Sequence, residues 1–321
     1  MTSITIILIL ILGFGLRADS VGSDTETYIR MFQNFSGLDD YSAVGIEIGF
    51  SVFSLAIRTI SENSIMFLFI ISFAIQGFFL RFSFLIFNKN SWFFLLLLSI
   101  FPSFYALNIN VMRQGIAIAI GFIAYYYFFN RKFVAFSILA AISVSFHISS
   151  IIPFIFLFFS GLSIRWTILF WTGCSFFSAF SPLYASLFSA LNLGDKYLNY
   201  VNETSEVIYR IGPRFDFIVY SALPLLLFWF SNNHKKIATN SFNFFLWKIY
   251  FFTNGVGHFL NFIPYSDRFL IISWIIIPVL FTYSVTNFIG SIERKSKIIV
   301  YLGSLVCFFI VFSLPFLVRA S

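Results

Sequence analysis

Long apolar runs recur along this sequence, at residues 64–87, 92–107, 115–129, 133–161, 166–182, 217–230, 242–263, 269–290 and 298–318, with a shorter one at 1–16. A helix needs about 20 apolar residues to cross a hydrocarbon core of roughly 30 Å. Inside such a core each backbone polar group must be satisfied within the segment, which selects helices. The expected fold is therefore all-α: a polytopic integral membrane protein, with one transmembrane domain over residues 1–321. Composition agrees, being 59% hydrophobic and 10% charged, where soluble domains run at about 45–50% and about 25%. The segment 1–16 carries no basic start and no small-residue cleavage signal before Arg17, so it reads as a first span and not a removed leader.

Cations set the orientation. Lys89, Arg131-Lys132, Arg165, His234-Lys235-Lys236 and Arg294-Lys295 with Lys297 punctuate the apolar runs, and the positive-inside rule places them in the cytoplasm. Arg131 and Arg165 share that side only if 133–161 crosses twice, turning near His147. Arg17 outside and Lys89 inside leave room for one crossing between them, so 44–60, with Glu47 and Arg58, is expected as an interfacial helix on the outer surface. About eleven spans result, with outer loops at 17–63, 108–114, around 147, 183–216 and 264–268. The net charge of +7 is then a membrane-orientation signal and implies no nucleic acid. Cys174 and Cys307 lie in apolar runs, and the three histidines have no zinc spacing, so neither a disulfide framework nor a metal is expected.

The polar stretch 107–114 is the exception within this pattern. It holds Asn108, Asn110, Arg113 and Gln114 between two apolar runs. An arginine at a bilayer centre costs about 2.5–3.5 kcal/mol, so Arg113 belongs at an interface or in a wet cavity. At the mouth of a helix, the dipole and free N–H groups also favour an anion there. The other outer-face cations are Arg17, Arg30, Arg58, Arg210, Arg214, Arg268 and Arg319 against Lys196, whereas lysine predominates inside. Orientation alone does not require arginine, but its planar fork suits phosphate or carboxylate.

The outer loops also offer Asp19, Asp24, Glu26 and Tyr28; Glu47; His147 with Ser149 and Ser150; Asp195, Lys196, Tyr197, Tyr200 and Tyr209; and Tyr265 with Asp267. Carboxylates, arginines, an imidazole and tyrosines on one face suit sugar and phosphate handling. Plainer readings stand beside this one. Arg17 can be an interfacial anchor, Asp24 an N-cap for a helix through 28–35, and Glu47 and Arg58 the polar edge of an amphipathic helix. Gln114 can bond a neighbouring helix, His147 can be a satisfied turn residue, and Asp267 can pair with Arg268.

A first span ending in Arg17, Gly22-Ser-Asp24 leading to Tyr28, Glu47 opening a helix, Asn110-Val-Met-Arg113-Gln114-Gly, Phe146-His147 with Ser149, and Tyr265-Ser-Asp267-Arg268 together resemble the EpsG/Wzy-type polysaccharide polymerases. Many relatives carry a proline after the glutamate, where this chain has Ile48. The resemblance implies a GT-C-like glycosyltransferase of the bacterial inner membrane, active on its periplasmic side. It would join polyprenyl-diphosphate-linked oligosaccharide repeat units in O-antigen, capsule or exopolysaccharide assembly. It implies no cofactor, membrane lipids as surroundings, and a chain-length regulator and a flippase as partners. Under it, His147, Asp24 and Glu47 are the candidate catalytic groups, and Arg113, Gln114, Arg210, Arg214 and Arg268 the diphosphate ligands. Arg17, Tyr28 and Tyr265 would contact glycan. An O-antigen ligase shares the outer-face chemistry, and a flippase or transporter of the same lipid-linked units is the other alternative.

Overall fold

The structure is a computed structural model that describes residues 2–180, 214–233, 241–261, 265–290 and 294–315. Every regular element among them is helical. Among the described residues, three stretches are long and apolar enough to cross a membrane, Ser64–Ser99, Asp267–Ile289 and Ser296–Ser313, and the bent pair Pro102–Ile109 and Met112–Phe129 adds a fourth if taken as one span. Shorter apolar helices occupy Thr2–Gly15, Ile48–Ile60, Phe133–Phe146, Ile148–Leu157 and Phe215–Trp229. The outer loop expected at 183–216 lies outside the described residues except for its last three, and with it Asp195, Lys196, Tyr197, Tyr200, Tyr209 and Arg210.

The chain divides into two compact units. The first, residues 1–151 and 281–321, contains α1 (Thr2–Gly15), α2 (Thr25–Asn34), α3 (Leu38–Ala43), α4 (Ile48–Ile60), α5 (Ser64–Phe87), α6 (Ser91–Ser99), α7 (Pro102–Ile109), α8 (Met112–Phe129) and α9 (Phe133–Phe146). The second, residues 152–280, contains most of α10 (Ile151–Leu157), then α11 (Ile164–Phe180), α12 (Phe215–Asn233), α13 (Phe242–Phe259) and α14 (Asp267–Trp274). The helix α15 (Ile277–Ile289) runs from the second unit into the first, and α16 (Arg294–Phe308) belongs to the first.

Sequence chemistry sets the breaks in the first unit. Asn88 has φ +44°, a conformation that ends α5, and a short 3-10 turn carries Lys89. The Phe82 and Phe94 rings then stand 6.0 Å apart. Twelve residues would separate them by about 18 Å in one straight helix, so α6 folds back along α5. The run 92–107, expected as one span, is divided at Phe101-Pro102. Proline lacks the N–H an interior helix position needs and drives the preceding residue extended, as Phe101 is at ψ 122°. Pro102 instead opens α7 at the position it tolerates best. Between α7 and α8 the chain bends by 119° at Asn110-Val111.

The interfacial helix expected over 44–60 begins at Ile48, because Gly45 takes φ +71° and Glu47 is extended at the N-cap. The run 133–161 breaks at His147, which is extended at φ −160° and ψ 119°. Aromatic edges pack the interior between these breaks: Phe79 meets Phe104 at 5.7 Å and Phe122 at 5.8 Å, and Phe32 stacks on Phe67 at 4.3 Å. Such pairs add about 0.5–1.5 kcal/mol each beyond burial, which matters where lipid gives helices little hydrophobic reason to associate.

Polar side chains bind the second unit together. Tyr250, Asn254 and His258 recur every four residues along α13, so they share one face, and all are fully buried. Asn254 Oδ1 accepts from Trp171 Nε1 at 2.6 Å, and its Nδ2 donates to Ser221 Oγ and Ser273 Oγ at 3.1 and 2.8 Å. Trp274 Nε1 adds a bond to Ser221 Oγ at 2.9 Å, and Tyr250 donates to the Ser221 carbonyl at 2.7 Å. One asparagine thereby joins α11, α12, α13 and α14.

Candidate active site

In the first unit the breaks bring helix ends together. The C-terminal ends of α1, α7 and α9 meet the N-terminal ends of α2, α4 and α8, and these carry Arg17, Tyr28, Glu47, Arg113 and His147. Two glycines permit the approach. A Cβ on Gly49 would lie 2.7 Å from the Ser145 carbonyl carbon and oxygen, so its absence lets α4 pass against α9. Gly22, at φ +97°, leaves no room for a Cβ beside Ile109 Cγ2 and stands close to Asn110 Oδ1, which accepts from the Ser23 N–H at 3.0 Å.

Glu47 is the centre of the cluster. Its Oε1 accepts from His147 Nδ1 at 2.7 Å and from the Ile148 N–H at 3.2 Å, while Oε2 is paired with Arg113 Nη1. Arg113 Nε reaches Tyr28 Oη at 3.4 Å. The carboxylate, guanidinium and imidazole are 17%, 18% and 20% exposed, enough for contact with an incoming molecule yet largely shielded. Burial alone would raise the Glu47 pKa, but the His147 hydrogen bond and the Arg113 and His147 charges overcome it and hold the pKa at about 2.

Two chemical consequences follow. An ionised Glu47 accepts, so His147 donates through Nδ1; in the neutral imidazole that tautomer makes Nε2 the basic nitrogen, and Nε2 has no described hydrogen-bond partner. Arg113 uses Nη1 and Nε, and among the described residues Nη2 makes no hydrogen bond. The cluster thus presents a basic nitrogen and a guanidinium edge side by side.

Asp24 opens α2, but its side chain does not cap the helix and accepts from Ser23 Oγ at 2.8 Å. None of Glu47, Arg113 and His147 bonds to it. Gln114 is buried in the first turn of α8. Asn108 is buried too, accepting from Gln76 Nε2 at 2.8 Å and donating to the Phe104 carbonyl, so it ties α7 to α5. Arg58 bonds the Phe35 carbonyl and lies 3.9 Å from Glu62, in keeping with the edge of an amphipathic helix. In the second unit, Arg214 clasps Asp216 with two bonds of 3.1 and 2.9 Å and stacks on Phe217 at 3.8 Å. Arg268 lies over the Tyr265 ring at 4.7 Å.

The sequence offered no direct sign of the Gln76–Asn108 pair or the close pass at Gly49. The Asn254 network did leave one, the four-residue polar spacing along α13.

These features define an all-helical membrane protein with an ionised carboxylate that orients a histidine beside an arginine at converging helix ends. The match to a known group covers the whole chain: the model of the EpsG family spans residues 1–321, and the protein belongs to that family. Membership points to polysaccharide polymerisation by a glycosyltransferase-like protein. No curated protein and no solved structure matches the chain.

Proposed function

We propose that the protein polymerises oligosaccharide repeat units carried on polyprenyl diphosphate, at the periplasmic face of a bacterial inner membrane. About eleven spans with a GT-C-like arrangement would place residues 17–63, 108–114 and 147 on that face. The observation that carries the reading is the His147 Nδ1–Glu47 Oε1 bond of 2.7 Å on a carboxylate that also holds Arg113.

The chemistry divides among these groups. The acceptor hydroxyl of one glycan attacks the anomeric carbon of another, and His147 Nε2 takes the hydroxyl proton as the new C–O bond forms. The bond from the anomeric carbon to the diphosphate oxygen breaks, its electron pair leaving with polyprenyl diphosphate. Arg113 stabilises that departing charge. Glu47 is the poorer base, since a carboxylate held at about pKa 2 gives up little by staying ionised. It acts by orienting the imidazole and stabilising it once protonated, as a buried carboxylate does beside a catalytic histidine. Tyr28, its ring buried against Phe50, borders the site through the hydroxyl that accepts from Arg113 Nε. A chain-length regulator and a flippase would serve the same lipid-linked units.

Deleting the gene and separating the surface polysaccharide on a gel tests this reading. A polymerase deletion leaves a single repeat unit on its acceptor and no ladder. A normal ladder overturns the proposal, and loss of even the single unit transfers the assignment to a ligase.

A further inference from the structure

Arg17 follows the last turn of α1, and its side chain is about nine-tenths buried, at 9% exposure. Nη1 donates to the Phe14 carbonyl at 2.6 Å, while Nη2 reaches Thr25 Oγ1 at 3.3 Å and Met112 Sδ at 3.1 Å. All three acceptors are neutral. Among the described residues Arg17 forms no ion pair, and its Nε is buried without a hydrogen bond. Buried charges are ordinarily paired, because an unmatched one forfeits its hydration for nothing. Neutral donors could tie the Phe14 carbonyl to Thr25 without that cost. Burial lowers the Arg17 pKa to about 10 against the opposing pull of Asp19, so the group stays cationic at neutral pH.

Its contact with Met112 places this charge at one particular spot. Met112 is the first residue of α8, and Val111 before it has no side-chain acceptor to cap the helix. The first turn of α8 therefore presents the positive end of an 18-residue helix. Arg113 is the next residue. Two guanidiniums thus flank the same helix mouth; Glu47 is ion-paired with one, and no described carboxylate forms an ion pair with the other, on which Asp19 acts only through its charge.

We propose that Arg17 and the uncapped first turn of α8 form an anion subsite that takes one phosphate of a diphosphate, with Arg113 taking the other. The inference rests on the reading of a lipid-linked diphosphate substrate given above, and it replaces Arg210, Arg214 or Arg268 as the second cation. Arg214 is already clasped by Asp216. Thr25, which accepts from Arg17 and donates toward the Ile109 and Val21 carbonyls, holds the subsite against the α7–α8 turn.

The test uses the full chain in lipid nanodiscs, with binding of inorganic pyrophosphate, orthophosphate and glucuronate measured by competition against labelled polyprenyl diphosphate. The wild type should prefer pyrophosphate to orthophosphate. Arg17→Gln should lose that preference, binding pyrophosphate about tenfold more weakly while orthophosphate still binds at Arg113, and Arg17→Lys should stay within about threefold of wild type. A folded Arg17→Gln protein that keeps the preference overturns the subsite. So does equal loss of both anions in the Gln and Lys variants, since a purely structural fork fails in both. Tighter binding of glucuronate than of pyrophosphate overturns it as well. If Arg17→Gln does not fold, Arg17→Lys decides: retained preference supports the subsite and lost preference removes it. A protein that prefers pyrophosphate but elongates no glycan would remove the polymerase reading and leave the subsite standing.

Discussion

Replacing Glu47 by Gln keeps the shape of the side chain and removes its charge. The Glu47 pKa lies at about 2 in the folded protein against an ordinary 4.5, which corresponds to about 3 kcal/mol of stabilisation at neutral pH. Because the folded pKa is the lower one, that stabilisation is fully present above about pH 4.5 and is lost as the pH falls towards 2. Unfolding in mixed micelles should therefore show wild type more stable than Glu47→Gln by about 3 kcal/mol at pH 7, with the gap cut to roughly half by pH 3. The variant's own curve should not follow that descent. Its rate of glycan elongation should fall about a hundredfold or more, since an amide no longer holds His147 in the Nδ1–H tautomer. The reasoning is refuted by a Glu47→Gln protein with wild-type stability at pH 7, or with the wild-type pH dependence.

Gly49→Ala places a methyl group 2.7 Å from the Ser145 carbonyl, so α4 must move off α9; we expect a loss of about 1–3 kcal/mol and of elongation together, and unaltered chain length would contradict it. Asn254→Ala strips the Trp171 indole, Ser221 and Ser273 of their shared partner and should lower stability by about 1–3 kcal/mol, read as an earlier unfolding midpoint with the pyrophosphate affinity retained.

The fold class was legible in the sequence because lipid leaves a chain few options: apolar runs of this length become helices. The punctuation was legible as well. Lys89 does mark a turn, between α5 and α6, and His147 does break its run. Finer boundaries depended on single residues, such as Pro102 dividing 92–107 and Gly45 delaying α4 to Ile48. In the site, the types and the shared location of Arg17, Tyr28, Glu47, Arg113 and His147 could be read from loop positions. Their pairing could not, since Glu47 meets His147 across 100 residues of chain. Nothing local says which carboxylate will find which cation. Arg17 illustrates the limit: it reads as an anchor or a glycan contact, and only its burial and neutral hydrogen-bond acceptors reveal a guanidinium without an ion pair.

The central claim is that His147 and Arg113 act together in joining lipid-linked repeat units. Purified protein in proteoliposomes, supplied with polyprenyl-diphosphate-linked repeat units, tests it by the length distribution of the product and the release of polyprenyl diphosphate. Wild type should yield chains of many units with one carrier released per linkage. His147→Gln and Arg113→Gln proteins of wild-type abundance should yield unextended units. Equal chain lengths from all three proteins, or release of carrier without any linkage, would contradict the account.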